Sequence, residues 1–358
     1  MKKKAPKELL SLFVLWYVFF SVSLFAQETK AENSDKKDKS LLEKAITPIN
    51  KAATTTFKVA QKIIHAPPMQ VTVDEVQLRV SVVNDKNGLV TGLRPDNFEV
   101  FDDGVKQKIL GFFTDEDPAS ICIVLDYSGS LGYKLPLSIE AIRKIVKESN
   151  PQDEYTLIVF NEKPDVVVGP VSNTQRLEDS LLSIQKAEGK TALLDAIYLG
   201  LETLKTGATL NHKDLIVISD GGDNHSRYTK KDVKRFLQEA DVQVYCIGIL
   251  EPPGLRNRSM EEANGPDLLS EFSDISGGRM FSVEGDSNDN LNEKELMDVA
   301  DNISFDIRNQ YVISYRPSNL VRDGKWRRLK VKLKDLPKTL NQQAITPKFR
   351  SGYYAPTN

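Results

Sequence analysis

Ile121-Cys122-Ile123-Val124-Leu125-Asp126-Tyr127-Ser128-Gly129-Ser130 opens as a strand and closes as a cluster of oxygens. Its five leading apolar side chains read as a strand covered on both faces, as in a parallel sheet. A carboxylate and two hydroxyls then follow at alternate positions. Outward from this stretch, strand patterns recur at 155–161, 165–171, 214–219, 242–249 and 279–283. Helical patterns lie between them at 136–149, 174–187, 192–205, 230–239 and 266–275, with a last helix at about 291–309. This alternation predicts an α/β unit, a doubly wound and mostly parallel six-stranded sheet with helices on both faces. The segment Pro164-Asp-Val-Val-Val-Gly-Pro170 follows its neighbour too closely for a crossover helix, so it is expected as an antiparallel edge strand.

In open α/β sheets functional residues collect at the carboxyl ends of the strands. Asp126, Ser128 and Ser130 fall there, as does Asp220 at the end of Leu215-Ile-Val-Ile-Ser-Asp. Thr191 opens a helix after Glu188-Gly-Lys and brings its hydroxyl to the same end. Two carboxylates and three hydroxyls are a donor set for a hard divalent cation. Three neutral ligands leave the ion's charge incompletely offset. Mg2+ demands six ligands and fills open positions with water, one of which an outside carboxylate can replace. Mn2+ and Ca2+ are the other ions such a set admits.

With these residues in place the chain resembles a von Willebrand factor type A domain, whose metal-ion-dependent adhesion site reads Asp-x-Ser-x-Ser, then Thr, then Asp on a later strand. Asp126, Ser128, Ser130, Thr191 and Asp220 match in order. The resemblance implies that the hydroxyls touch the metal, that the aspartates often act through water, and that a partner protein donates an Asp or Glu carboxylate. It implies a Mg2+-dependent binding or adhesion protein and no enzyme. It also places the strand ending in Asp220 between the strands carrying Cys122 and Cys246, too far apart for a disulfide, so both thiols are expected free. Val90-Thr-Gly-Leu-Arg-Pro-Asp-Asn-Phe-Glu-Val100 and Arg350-Ser-Gly-Tyr-Tyr354 extend the likeness to exported bacterial proteins of the "VWFA-related" group, over about residues 70–356. Leu131 stands where many relatives have methionine, and the stretch Glu251 to Pro266 is longer than a minimal connection. It reads as a surface excursion, the alternative being part of a partner-binding rim.

Other chemistries fit less well. Glu188-Gly-Lys-Thr191 ends like a phosphate-binding loop, but Ile184 occupies the required glycine position, which disfavours nucleotide. Ser130 has no glycine two positions before it, so it is no nucleophile elbow. With only His65, His212 and His225 in the chain, His225 reads as a surface histidine rather than the base of a serine hydrolase. Asp223 and Asn224 read as loop-shaping residues through side-chain-to-backbone bonds. The 48 basic and 50 acidic residues, net charge −2, leave no footprint for nucleic acid.

The flanks are β-rich. Val71 to Phe113 alternates with period two and closes a hairpin at Asp103-Gly104, and Tyr311-Val-Ile-Ser-Tyr315, the Trp326 segment and Phe349–Tyr354 supply more strands. Neither block buries its own faces, so one small β-sandwich built from both is expected, residues 69–116 and 306–356, with the α/β unit 117–305 inserted between them. Trp326 is expected against Phe98 or Val100. Residues 27–68 read as a flexible tether. Residues 1–26 read as a cleaved secretory signal, with Met1-Lys-Lys-Lys before an apolar run and Ala26 before a polar stretch. The protein is then exported, periplasmic or secreted, and touches a membrane only if residues 9–26 remain as an uncleaved anchor, since the run nearly reaches the ~20 residues of a span.

Overall fold

The structure is a computed structural model describing residues 75–114, 117–129, 131–184, 189–250, 260–284, 292–337, 340 and 344–357. The expected signal and tether, Ser130 and residues 251–259 of the long connection lie outside the described residues.

The strand opened by the quoted stretch, β5 (Ala119–Asp126), is buried at every position. It pairs in parallel with β6 (Glu154–Phe160) and β8 (His212–Ser219). With β7 (Pro164–Val171), β9 (Gln243–Leu250) and β10 (Met280–Glu284) these form a six-stranded sheet of order β10-β9-β8-β5-β6-β7. Only β7 is antiparallel, and it lies at the edge where Pro164 and Pro170 remove no interior ladder bond. Alternation along β5 divides the core. Ile121, Ile123 and Leu125 face one cluster with α1 (Leu135–Glu148), through Ile142 and Ile145, and α6 (Glu293–Arg308), through Ile303. Cys122 and Val124 face the other, with α3 (Leu193–Gly207), α4 (Lys230–Ala240) and α5 (Met260–Ser276). The remaining helix, α2 (Thr174–Ser183), is capped by Asn173, whose side chain accepts from the Gln175 N–H at 2.9 Å.

Cys122 and Cys246 are free, on either side of β8, as the expected strand order requires. Burial pushes the Cys246 thiol up to about 12, and Cys122 higher still. One boundary differs. Pro266 marked the expected start of a helix, yet α5 begins at Met260 and carries Pro266 inside it. Proline forfeits one backbone donor, and the preceding Met-Glu-Glu-Ala are strong helix formers that hold an extra turn.

The flanking strands are β1 (Val76–Val83), β2 (Phe98–Asp102), β3 (Val105–Lys106), β4 (Ile109–Thr114), β11 (Tyr311–Tyr315), β12 (Trp326–Leu333), β13 (Thr346–Lys348) and β14 (Gly352–Tyr354). They make two four-stranded sheets, β13-β1-β11-β4 and β14-β12-β2-β3, so each sheet draws strands from both ends of the chain. Leu78, Val80, Phe98, Val100, Tyr311, Ile313, Leu329 and Val331 share one buried core. Asp102 on β2 joins the sheets by accepting from the hydroxyls of Tyr315 at 3.0 Å and Tyr353 at 2.8 Å.

Trp326 does not lie opposite Phe98 or Val100. The register sets Val331 opposite Val100 and Leu333 opposite Phe98, so antiparallel pairing carries Trp326 past the end of β2. It packs instead against Tyr354, ring centroids 5.0 Å apart.

A buried polar junction ties the sandwich to the inserted unit. Asp306 on α6 accepts from Ser81 Oγ of β1 at 2.6 Å and from Arg279 Nη1 at 3.0 Å. Gln310 Nε2 donates to the Tyr245 hydroxyl of β9 at 2.7 Å. Burial raises the Asp306 carboxyl, and the Arg279 charge with the Ser81 bond offsets only part of that rise.

Candidate metal-ion site

β5 and β8 end side by side, which delivers Asp126 and Asp220 to one edge of the sheet. Asp126 is fully buried. Its Oδ1 accepts from the Ser128 N–H at 2.9 Å, and its Oδ2 accepts from Ser219 Oγ at 2.7 Å. Ser219 Oγ in turn accepts from the Gly221 N–H at 3.0 Å, and Asp220 Oδ1 accepts from the Gly222 N–H at 3.0 Å. Ser128 is wholly buried and Thr191 nearly so, while Asp220 is half-buried.

Three loops meet here and are laced by protein hydrogen bonds. The Gly129 N–H donates to the Gly189 carbonyl at 3.3 Å, joining the first loop to the one that carries Thr191. The Asn224 Oδ1 accepts from the Thr191 N–H at 3.0 Å, while the N–H groups of Asn224 and His225 donate to the Thr191 carbonyl. Asp223 Oδ1 accepts from the Leu194 N–H at 3.3 Å, so Asp223 and Asn224 shape the loop as the sequence suggests. His225 is exposed and touches the site through its backbone. Leu131 is buried in the core on the α1 side and alters no oxygen of the set.

Burial, and after it the negative charge of Asp220, push the Asp126 carboxyl up to about 7. The hydrogen bonds from Ser128 and Ser219 pull the other way and do not offset this. Among the described residues neither Asp126 nor Asp220 has a Lys, Arg or His ion-pair partner. Two adjacent carboxylates, one closed off from water and neither paired with a protein cation, with the Ser128 side chain hydrogen-bonded to Asp126, fit a divalent ion by donor chemistry. Ser130 lies outside the described residues.

Several supporting residues carry no sequence pattern of their own. Asp195, in the first turn of α3, accepts from the N–H groups of Arg227 at 2.8 Å and Tyr228 at 2.9 Å, pinning the loop after Asp220. The Asp195 N–H donates to Ser226 Oγ at 3.1 Å. Gly221, at φ +84°, rests on Gly265 of α5: a Cβ on Gly265 would meet the Asp220 carbonyl oxygen at 2.7 Å. The first turns of α5 therefore back the Asp220 turn. Gly265→Ala should cost about 1–3 kcal/mol by overpacking, although alanine favours a helix by about 1 kcal/mol over glycine. Urea denaturation checks this, and a variant more stable than wild type by the full helix gain of about 1 kcal/mol would refute the tight contact.

Comparison with known proteins places a family match on the same stretch of the chain. Residues 121–222 match the family model of the von Willebrand factor type A domain, a span running from β5 through Gly222 and containing all five oxygen-bearing positions. An uncharacterized protein of Borreliella burgdorferi is 28% identical over 189 residues, 47% of this chain and 54% of its own length. Inter-alpha-trypsin inhibitor heavy chain H4 of Bos taurus is 24% identical over 243 residues, 59% of this chain and 25% of that one. The chain thus spans about half the length of the first relative and a quarter of the second. Among solved structures, a von Willebrand factor type A protein from Catenulispora acidiphila overlays with TM-score 0.44 at 13% identity, covering 81% of this chain and 75% of that one. Within the six-stranded unit, residues 121–222, which carry β5 to β8, match the von Willebrand factor type A domain.

Proposed function

We propose that the chain is an exported, non-enzymatic binding protein that recognises a partner protein through a divalent ion, Mg2+ in the first instance, held by Asp126, Ser128, Ser130, Thr191 and Asp220. The observation that carries this reading is the Asp126–Asp220 carboxylate pair, buried at one end and without a protein cation among the described residues. When bound, the ion supplies a Lewis-acidic position for an Asp or Glu carboxylate of the partner. Asp126 is held by Ser128 and Ser219, and Thr191 by Asn224, so the donors are preorganised before a partner arrives. That same lacing argues against an ion whose sole task is to order the loops, since protein hydrogen bonds already do so. A hydrolase reading finds no support in His225, which meets Thr191 through its backbone N–H. Export rests on residues 1–26, and among the described residues no helix is long and apolar enough to cross a membrane.

The test uses the full chain immobilised over cell-envelope extract. Capture of a defined partner should require Mg2+, vanish in EDTA, and vanish in Asp126→Ala with Mg2+ present. Mg2+ at a hundred times its Kd should also stabilise wild type by about 2.7 kcal/mol and the variant by nothing. Capture indifferent to both EDTA and Asp126→Ala, or a melting temperature that ignores Mg2+ and Mn2+, overturns the proposal.

A further inference from the structure

The sandwich carries a surface that the metal site does not use. Along β12 the chain alternates, with Arg327, Leu329 and Val331 buried and Arg328, Lys330 and Lys332 exposed. The register Lys332↔Glu99, Lys330↔Phe101 and Phe101↔Lys106 puts Glu99, Phe101 and Lys106 on the same outer face. Lys106 occupies Glu99 at 2.5 Å, and the Lys332 ammonium lies 5.1 Å from the centroid of the Phe101 ring. Among the described residues Arg328, Lys330 and Lys332 make no ion pair.

Same-face neighbours on a strand are ~6.7 Å apart, so the three cations form a row ~13 Å long. At its head stand Trp326 and Tyr354, paired across the strands with rings edge to face. The indole lies over Gly352, where a Cβ would collide with it. Tyr354 is 40% exposed, an unusual position for an aromatic ring beside unpaired cations.

A merely solvated face would spread both signs of charge across its strands, because opposite charges facing each other stabilise a sheet and like charges destabilise it. Here three cations run along one strand, and the two acids that face them are already engaged, Glu99 by Lys106 and Asp103 by Arg327 and the Arg328 N–H. The chain as a whole is slightly acidic at −2, so the row is a local concentration rather than a general excess. A level sheet face offering basic side chains beside Trp and Tyr suits an anionic lipid surface. Lys and Arg are drawn to its headgroups, while Trp and Tyr settle at the boundary between headgroup and acyl chain. We propose that the outer face of the β14-β12-β2-β3 sheet, through Arg328, Lys330, Lys332, Trp326 and Tyr354, docks on a membrane surface rich in anionic phospholipid.

The experiment is cosedimentation of the full chain, in EDTA, with vesicles of phosphatidylcholine alone or mixed with phosphatidylglycerol. EDTA removes any contribution of the metal site, and the apolar run 9–26 is common to every variant and both lipids. Wild type should favour the mixed vesicles and be released by salt. Each basic residue near such a surface contributes about fivefold in affinity, so the triple variant Arg328→Glu, Lys330→Glu, Lys332→Glu should lose a hundredfold or more. The control Arg176→Glu, Lys231→Glu, Lys294→Glu makes the same change in net charge at exposed positions of α2, α4 and α6 and should bind like wild type. Equal binding to both lipids, wild-type binding by the first triple variant, or equal loss in the control overturns the proposal. So does tighter binding to a single-stranded oligonucleotide than to the mixed vesicles. Should the first triple variant fail to fold, the lipid preference and salt release of wild type decide alone.

Discussion

Stripped of divalent ions, the protein should lose stability on the order of 4 kcal/mol at Asp126 alone as pH rises from about 4 to about 7. The sign follows from the direction of the shift. Asp126 has an ordinary value of 3.8 and is raised to about 7 in the fold, first by burial and then by Asp220. Below the ordinary value the carboxyl is neutral whether folded or unfolded, and the fold retains its full stability. Between the two values the unfolded chain releases a proton that the folded one keeps, so the folded state weakens until the folded carboxyl also ionises. Asp126→Asn isolates the effect, because its amide cannot ionise and other acids titrate equally in both proteins. Urea denaturation in EDTA at pH 5 and pH 8 should show wild type losing ground to Asp126→Asn, with Mg2+ closing the gap at pH 8. A wild-type-minus-variant difference that stays flat across this window would rule out the burial and repulsion assigned to Asp126.

The strand ends that carry the candidate oxygens were legible because their signal is local. An apolar run fixes β5 and β8 as interior strands, and the oxygens follow at the first positions where the chain leaves the sheet. The inserted architecture was legible for a related reason: two β blocks that each lack enough strands to cover their own faces must share one core. The edge position of β7 followed from two prolines and a short connection.

What stayed illegible depends on distance in space between residues far apart in sequence. Gly265 is a glycine inside a helix, with nothing nearby in sequence to say that Gly221 rests on it. Asp195 looks like an ordinary acid in the first turn of a helix, where it suits the dipole. Only the fold shows it receiving the backbone of Arg227 and Tyr228. Trp326 was misplaced because alternation identifies a strand's faces and leaves its register open. The slip of pairing along β2 put Leu333, not Trp326, opposite Phe98. The α5 boundary failed where one strong local signal, Pro266, outweighed several weaker ones.

Ending the chain at Asn309 should destroy the sandwich and spare the α/β unit. The deletion removes β11, which separates β1 from β4, and β12, which separates β14 from β2. What remains of the first sheet is two strands that do not pair with each other, and of the second a β2–β3 hairpin joined at two residue pairs. An isolated two-stranded hairpin is marginal in water. The shared core would also lose Tyr311, Ile313, Tyr315, Leu329 and Val331 together. Truncating one such side chain to alanine costs about 2–5 kcal/mol, and a domain's whole stability is about 5–15 kcal/mol, so no folded sandwich should survive. The two clusters that flank the six-stranded sheet contain no residue from 75–114 or 310–357, so their own packing remains, although α4 loses the cover of β14. Asp306 would keep Arg279 while losing Ser81, Tyr245 would lose Gln310, and the Ile275 carbonyl and Asp274 would lose Ser351 and Lys348. Limited proteolysis of the chain ending at Asn309 should therefore cut within 75–114 at once and leave a resistant fragment near 119–308, with its own thermal transition. Protection of 75–114 equal to that in the full chain would mean that the N-terminal strands fold without their C-terminal partners, against the pairing seen in both sheets.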